Sequence, residues 1–183
     1  LGVSQGLTWS TTITMKVDLA GPRDRGLAMG LNELAGYLAV AASALATGAI
    51  AARVGLRPEP FFLGVIYVVV GLGLSVAFVR ETLGHAQQEA GLIAAGPQDA
   101  PSAKEVFWRT TFTDRELSSV TQAGMVNNLN DGAAWGLFPL IFAAAGLGLG
   151  EIGLLAALYP AVWGATQLFT GALSDRLGRK GLI

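Results

Sequence analysis

Asn127, Asn128, Asn130 and Asp131 fall together in a stretch otherwise apolar enough to be a membrane helix, with Trp135 and Pro139 just beyond. Asn127, Asp131 and Trp135 are spaced i, i+4, i+8 and so share one helical face. A carboxylate at mid-membrane depth costs roughly 2.5–3.5 kcal/mol even on the lenient insertion scale, so it persists only against a cavity or a partner. Two chemistries fit. One is a solute or proton site on Asp131, lined by Asn127, Asn130 and Trp135. The other is a set of hydrogen bonds to neighbouring helices that never meets solute. The second wet stretch is at the start of the chain, where Gln5, Trp9, Ser10, Thr11, Thr12 and Thr14 cluster. Asn32 and Glu33 lie near one end of another apolar segment, where a structural partner in a basic loop explains Glu33 better than ion coupling does. Tyr159 and Gln167 are weaker candidates of the same kind.

Other patterns carry less. Gly148-Leu-Gly-Glu-Ile-Gly153 fits G-x-G-x-x-G but follows no strand, which argues against a dinucleotide site. Gly132-Ala-Ala-Trp-Gly136 fits the close-contact spacing G-x-x-x-G. His85 is the single histidine and stands alone, and cysteine is absent, which removes disulfides, thiolate metal sites and cysteine nucleophiles. No nucleophile–base pair is evident. The reading is therefore of a protein that is not an enzyme and uses no cofactor or metal.

The elements that must hold these residues are membrane helices. The 183 residues are 52% hydrophobic and 14% charged, with mean hydropathy +0.51. Soluble domains carry about a quarter charged residues. A net charge of −1 gives no basic excess to recruit nucleic acid. Residues 27–50, 61–79, 122–145 and 152–173 are each about the 20 apolar residues that a span needs. Residues 1–15 read as the remainder of a fifth span. Both ends fall in apolar runs, so a piece of a longer protein is expected. Ten of the twelve Lys and Arg fall in alternate loops: Lys16, Arg23 and Arg25, then Arg80, Lys104, Arg109 and Arg115, then Arg176, Arg179 and Lys180. Arg53 and Arg57 alone lie on the other side. The rich side is expected in the cytoplasm, giving a multi-pass protein of the plasma (inner) membrane.

Residues 81–119 form the one long polar loop, on the cytoplasmic side, and its first half is expected to be mobile. Ser102-Ala-Lys-Glu105 and Thr113-Asp-Arg-Glu116 are capping-box patterns. The first would begin a short amphipathic surface helix through Val106, Phe107 and Trp108, and the second the helix that becomes the fourth span. Both also read as ordinary helix starts. Among the spans, 61–79 is apolar all round and suits lipid. In 27–50 the small residues Ala35, Ala39, Ala42, Ala46 and Ala49 sit near helical spacing and mark a packing helix.

Gly171-Ala-Leu-Ser-Asp-Arg-Leu-Gly-Arg-Lys180 follows the last span directly. Its pattern of Gly171, Leu173, Asp175, Arg176, Gly178, Arg179 and Lys180 resembles the signature loop of the major facilitator superfamily. Asp18-x-x-x-Pro22-x-x-Arg25-Gly26 is similar to that family's basic turn after helix four. The resemblance implies an all-α polytopic fold, part of a twelve-helix bundle with about five helices present. Residues 1–80 would end the first six-helix half, 81–119 would be the central cytoplasmic linker, and 120–183 would start the second half. It implies a secondary transporter moving a small solute across the lipid bilayer by alternating access, with protons as a candidate coupling ion. A non-transporting sensor or scaffold of the same fold is the alternative. Asp175, Arg176 and Arg179 would be gate residues, though the bases also read as topogenic anchors. Two features depart from the drug–proton antiporters of this family. Gly2 stands where an arginine is expected, and no Gly-Pro pair occurs in 27–50.

Overall fold

The computed structural model describes residues 2–21, 23–93, 101–178 and 180. Seven α-helices account for most of them: α1 (Gly2–Leu19), α2 (Arg25–Val54), α3 (Glu59–Phe78), α4 (Leu83–Ile93), α5 (Ala103–Trp108), α6 (Arg115–Ala144) and α7 (Leu149–Leu177). A π-helical turn, Arg109–Thr113, joins α5 to α6. No strand occurs among the described residues. By length and composition α2, α3 and α7 can each cross a membrane. At 30 residues α6 is as long as α2, but its Asn and Asp run makes it less apolar.

The chain divides into two compact units, residues 1–90 with 147–183, and residues 91–146. In the first unit α2 and α7 pack along their whole length, and α1 and α3 lie against α2. The pair is antiparallel, because Gly26 meets Gly171, Gly30 meets Gln167, Gly164 meets Tyr37 and Gly48 meets Gly153. Three of these contacts are backbone to backbone, and Gly164 meets the Tyr37 Cβ. A Cβ on Gly48 would stand 2.7 Å from the Gly153 Cα, and one on Gly26 would collide with the Gly171 carbonyl. Without a hydrophobic drive between helices in lipid, this closeness is what lets dispersion hold the pair.

The packing face of α2 differs from the alanine stripe. Gly26, Gly30, Tyr37, Ala41, Gly48 and Ala51 are buried, whereas Ala35, Ala39, Ala42 and Ala49 are exposed. Glycine admits a nearer backbone than alanine does, so the glycine face wins the contact. Gly132 and Gly136 meet nothing within 4 Å, contrary to their G-x-x-x-G spacing. A contrast follows: Gly48→Val in the intact protein should cost about 1–3 kcal/mol by overpacking. Gly132→Ala should be neutral or stabilising by up to about 1 kcal/mol through helix propensity. Thermal unfolding in detergent compares the two directly.

All of α3 is free of buried residues, as its uniformly apolar sequence suggests. Within the first half of the long loop, Leu83–Ile93 form the helix α4. Glu81 Oε1 accepts from the amides of Thr82 and Leu83, 2.9 Å each, and this cap starts α4. The buried Thr82 also donates through Oγ1 to Asp18 Oδ2 at 3.1 Å, tying the start of α4 to the last turn of α1. Residues 94–100 of that loop lie outside the described part.

In the second unit, Ser102 Oγ accepts from the Glu105 amide, as the first capping box predicts. The second cap is shifted by one residue: Asp114, not Thr113, accepts from Glu116 and Leu117. Asp114 is extended, and its carboxylate reaches both amides at once. Phe107, Trp108 and Phe112 form an exposed aromatic cluster with ring centroids 5.1–6.3 Å apart. Thr121 Oγ1 donates to the Thr110 carbonyl, linking the π turn to α6.

Candidate functional site

The first turn of α2 has amides that the residue preceding the helix does not cap. Asp24 precedes the helix but makes no side-chain cap bond. The cap comes from the far end of α7. Asp175 Oδ1 accepts from the Gly26 amide and Oδ2 from the Leu27 amide, both at 2.9 Å. A carboxylate at a helix N-terminus is favoured by the unsatisfied N–H groups and by the dipole. The Gly26–Gly171 contact makes the reach possible, since Asp175 lies one turn beyond Gly171 on the same helix. Ser174 Oγ donates back to the Gly171 carbonyl at 2.7 Å. Gly178, at φ +84°, then ends α7, a backbone state suited to glycine. Arg176 and Lys180 are exposed. Arg179 lies outside the described residues. Asp18 is engaged by Thr82, and Arg25 opens α2 beside the Asp175 cap.

Farther along the same pair, aromatic rings bridge three helices. Tyr37 of α2, only 8% exposed, meets Trp9 of α1 edge-on at 6.0 Å and Trp163 of α7 at 5.6 Å. Tyr159 extends the row to Trp163 at 5.9 Å. Trp9 lies over Gly36, where a Cβ would come within 2.7 Å of its ring. Near the end of α1 that leads to α2, Lys16 Nζ donates to Asn32 Oδ1 at 2.8 Å, and Asn32 Nδ2 donates to Glu33 Oε1 at 3.3 Å. Glu33 thus shares a hydrogen-bond chain with a basic residue, in keeping with a structural role. A cavity of about 780 Å³ opens among α1, α2 and α7, with Arg25, Trp163, Thr166 and Gln167 in its lining.

Of the polar residues expected on α1, Trp9 is in this aromatic row, whereas Thr12 is exposed and donates to the carbonyls of Thr8 and Trp9. The side chain of Gln5 lies outside the described residues. On α6, Asp131 is 5% exposed, while Asn127, Asn130 and Trp135 are exposed. Asn128 Nδ2 donates to the Gly124 carbonyl in its own helix. The residues that sequence reading missed are Tyr37 and Trp163. A signal existed for the first: Gly30 and Tyr37, and Ala41 and Gly48, are seven apart on one stripe.

The Gly-rich segment Gly148–Gly153 is the N-terminal turn of α7, not a strand-to-helix loop. Glu151 Oε2 accepts from the Gly148 amide at 2.8 Å, and Gly153 is spent on the contact with Gly48. No dinucleotide motif is formed. In comparisons with known proteins, no curated protein and no solved structure matches this chain. Residues 1–178 match the family described as Major Facilitator Superfamily. That match covers nearly the whole chain, and it agrees with the all-α architecture and its membrane-length helices: the chain belongs to the Major Facilitator Superfamily, a family of polytopic membrane transporters.

Proposed function

We propose that this transporter moves a small solute by alternating access, and that the Asp175 contact is its cytoplasmic gate. The observation that carries the reading is the cap in trans, with both carboxylate oxygens of Asp175 on the first amides of α2. In the proposed division, residues 1–80 close the first half, 81–119 link the halves in the cytoplasm and 120–183 open the second. The cap then ties a helix of one half to a helix of the other. Such a tie is strong enough to hold one end shut and weak enough to break once per cycle. The excess of Lys and Arg on that side supports a cytoplasmic position in the plasma membrane. Lys180 and Arg176 sit beside the tie, exposed, where cytoplasmic anchors belong.

Trp9 of α1 and, separately, the Asn127–Trp135 face of α6 are the candidate solute contacts. Asp131 is the candidate proton carrier, supported by its burial in a helix otherwise rich in exposed residues. Uptake by the intact protein in proteoliposomes tests both readings. Asp131→Asn should abolish accumulation driven by a pH gradient while leaving counterflow exchange, which needs no net proton movement. Unchanged gradient-driven uptake in that variant would remove Asp131 from coupling. Absence of any solute movement by the wild-type protein, over a broad solute panel, would favour the sensor reading.

A further inference from the structure

Three aromatic side chains gather where the short helix α5 runs into α6. Phe107 and Trp108 close α5, and Phe112 lies in the π-helical turn that follows. Their ring centroids are 5.1–6.3 Å apart, yet Phe107, Trp108 and Phe112 are 57%, 49% and 61% exposed, so the described chain leaves the group open. The turn is what assembles them. On an α-helix, residues five apart point about 140° away from each other. The wider turn, closed by the Asp114 amide on the Arg109 carbonyl, sets positions five apart on one side. Phe107 and Phe112 therefore meet, and Trp108 contacts both.

An exposed apolar patch of this kind marks a surface with an occupant. The backbone beneath it indicates which. The carbonyls of Val106, Phe107, Trp108, Arg109 and Thr110 each accept a hydrogen bond from a later residue. Thr110 Oγ1 donates to the first two at 2.8 and 3.2 Å, and Thr113 Oγ1 to the third at 3.3 Å. The Asp114 amide donates to the fourth and Thr121 Oγ1 to the fifth, both at 3.0 Å. A protein partner could satisfy such carbonyls with its own donors or with trapped water. Hydrocarbon supplies neither, so backbone that meets lipid must be closed from within. Charge narrows the surface further. Lys104, Arg109 and Arg115 are matched by Glu105, Asp114 and Glu116, and Arg109 reaches Asp114 at 3.8 Å. Anionic headgroups are drawn instead by clusters of roughly four to eight bases.

We propose that Phe107, Trp108 and Phe112 form an interfacial anchor, seated at the headgroup–acyl boundary of the bilayer without regard to headgroup charge. Tryptophan and phenylalanine are rings that favour that depth. The bond from Thr121 to the Thr110 carbonyl ties the anchor to the first turns of α6. The anchor therefore sets the depth at which α6, the proposed span over 122–145, enters the membrane. It does so whether or not the protein transports a solute.

Fluorescence of the intact protein in neutral phosphatidylcholine vesicles tests the seat. Subtracting the emission of a Trp108→Phe variant isolates Trp108. Bromine high on the acyl chains should remove most of that signal, while bromine near the chain ends and aqueous acrylamide should each remove little. Strong quenching by acrylamide alone would put the rings in water. No quenching by any of them would put the rings under protein, a second copy or another segment. Either result overturns the proposal, as does stronger quenching from the chain ends. Mixing in phosphatidylglycerol should leave the pattern unchanged, and bromine quenching that appears only with this anionic lipid would overturn the charge-indifferent seat. A second reading keeps Trp108 in place, with 4-fluorophenylalanine substituted for Phe112. Dissolved oxygen should broaden its fluorine resonance more than an aqueous nickel chelate does. The reverse order would overturn the anchor even if the Trp108→Phe protein failed to fold.

Discussion

Asp175→Ala should open the capped end of the α2–α7 pair, the cytoplasmic end in the proposed orientation, and raise its exposure to aqueous reagents by roughly five- to 150-fold, the span of a 1–3 kcal/mol coupling. Two charge-assisted hydrogen bonds to helix amides are lost at once. No substitute stands by, because Asp24 makes no cap of its own. Uncapped first-turn amides then favour the state in which water reaches them. The sequence contains no cysteine, so a single Thr170→Cys at the wall of the cavity among α1, α2 and α7 gives an unambiguous label site. Labelling by a membrane-impermeant maleimide from the cytoplasmic side reads the open population. Asp175→Asn keeps one acceptor but loses the charge, and should fall between the wild type and alanine. Equal labelling of wild type and Asp175→Ala would sink the gate assignment.

That prediction shows what a single sequence holds and what it withholds. The acid flanked by glycines and bases was readable as a tie between helix ends. Its partner was not, because Gly26 and Leu27 lie nearly 150 positions earlier and carry no side-chain chemistry that could announce them. The sequence of 26–30, Gly-Leu-Ala-Met-Gly, has the same spacing as Gly132–Gly136, yet one pair is buried against α7 and the other meets open space. Spacing allows a close contact. The opposite helix decides whether it forms.

The helices themselves were more legible than their faces. Apolar runs broken by basic turns marked α2, α3 and α7, since length and hydropathy are local properties. Which side of α2 packs depended on the glycines of α7, and four of five alanines at plausible spacing turn away from the contact. At the start of α6, Thr113 and Asp114 both fit a cap. The carboxylate that could reach two amides took the position. Order in α4 came from Glu81, Thr82 and Asp18 acting together, a three-residue arrangement of which two members are adjacent and the third lies in another turn.

Tyr37→Ala should destabilise the intact protein by about 3–5 kcal/mol, the cost of deleting a large buried aromatic side chain. The ring touches both Trp9 and Trp163, so its loss removes two ring contacts as well as leaving a hole. Gly164 packs on the Tyr37 Cβ, which alanine retains, so the backbone contact of α2 with α7 should survive. The damage should therefore fall on α1. Tyr37→Phe keeps both ring contacts and should keep most of the stability. Thermal unfolding of the three proteins gives the ranking, and protease cutting within α1 gives the location. A loss in Tyr37→Ala no larger than in Tyr37→Phe would mean that the row is incidental contact. A loss confined to the alanine variant, with α1 cut first, would make Tyr37 the bolt that holds α1 to the α2–α7 pair. The cavity among α1, α2 and α7 would then depend on it, because Ile13 and Val17 line that cavity only while α1 stays docked.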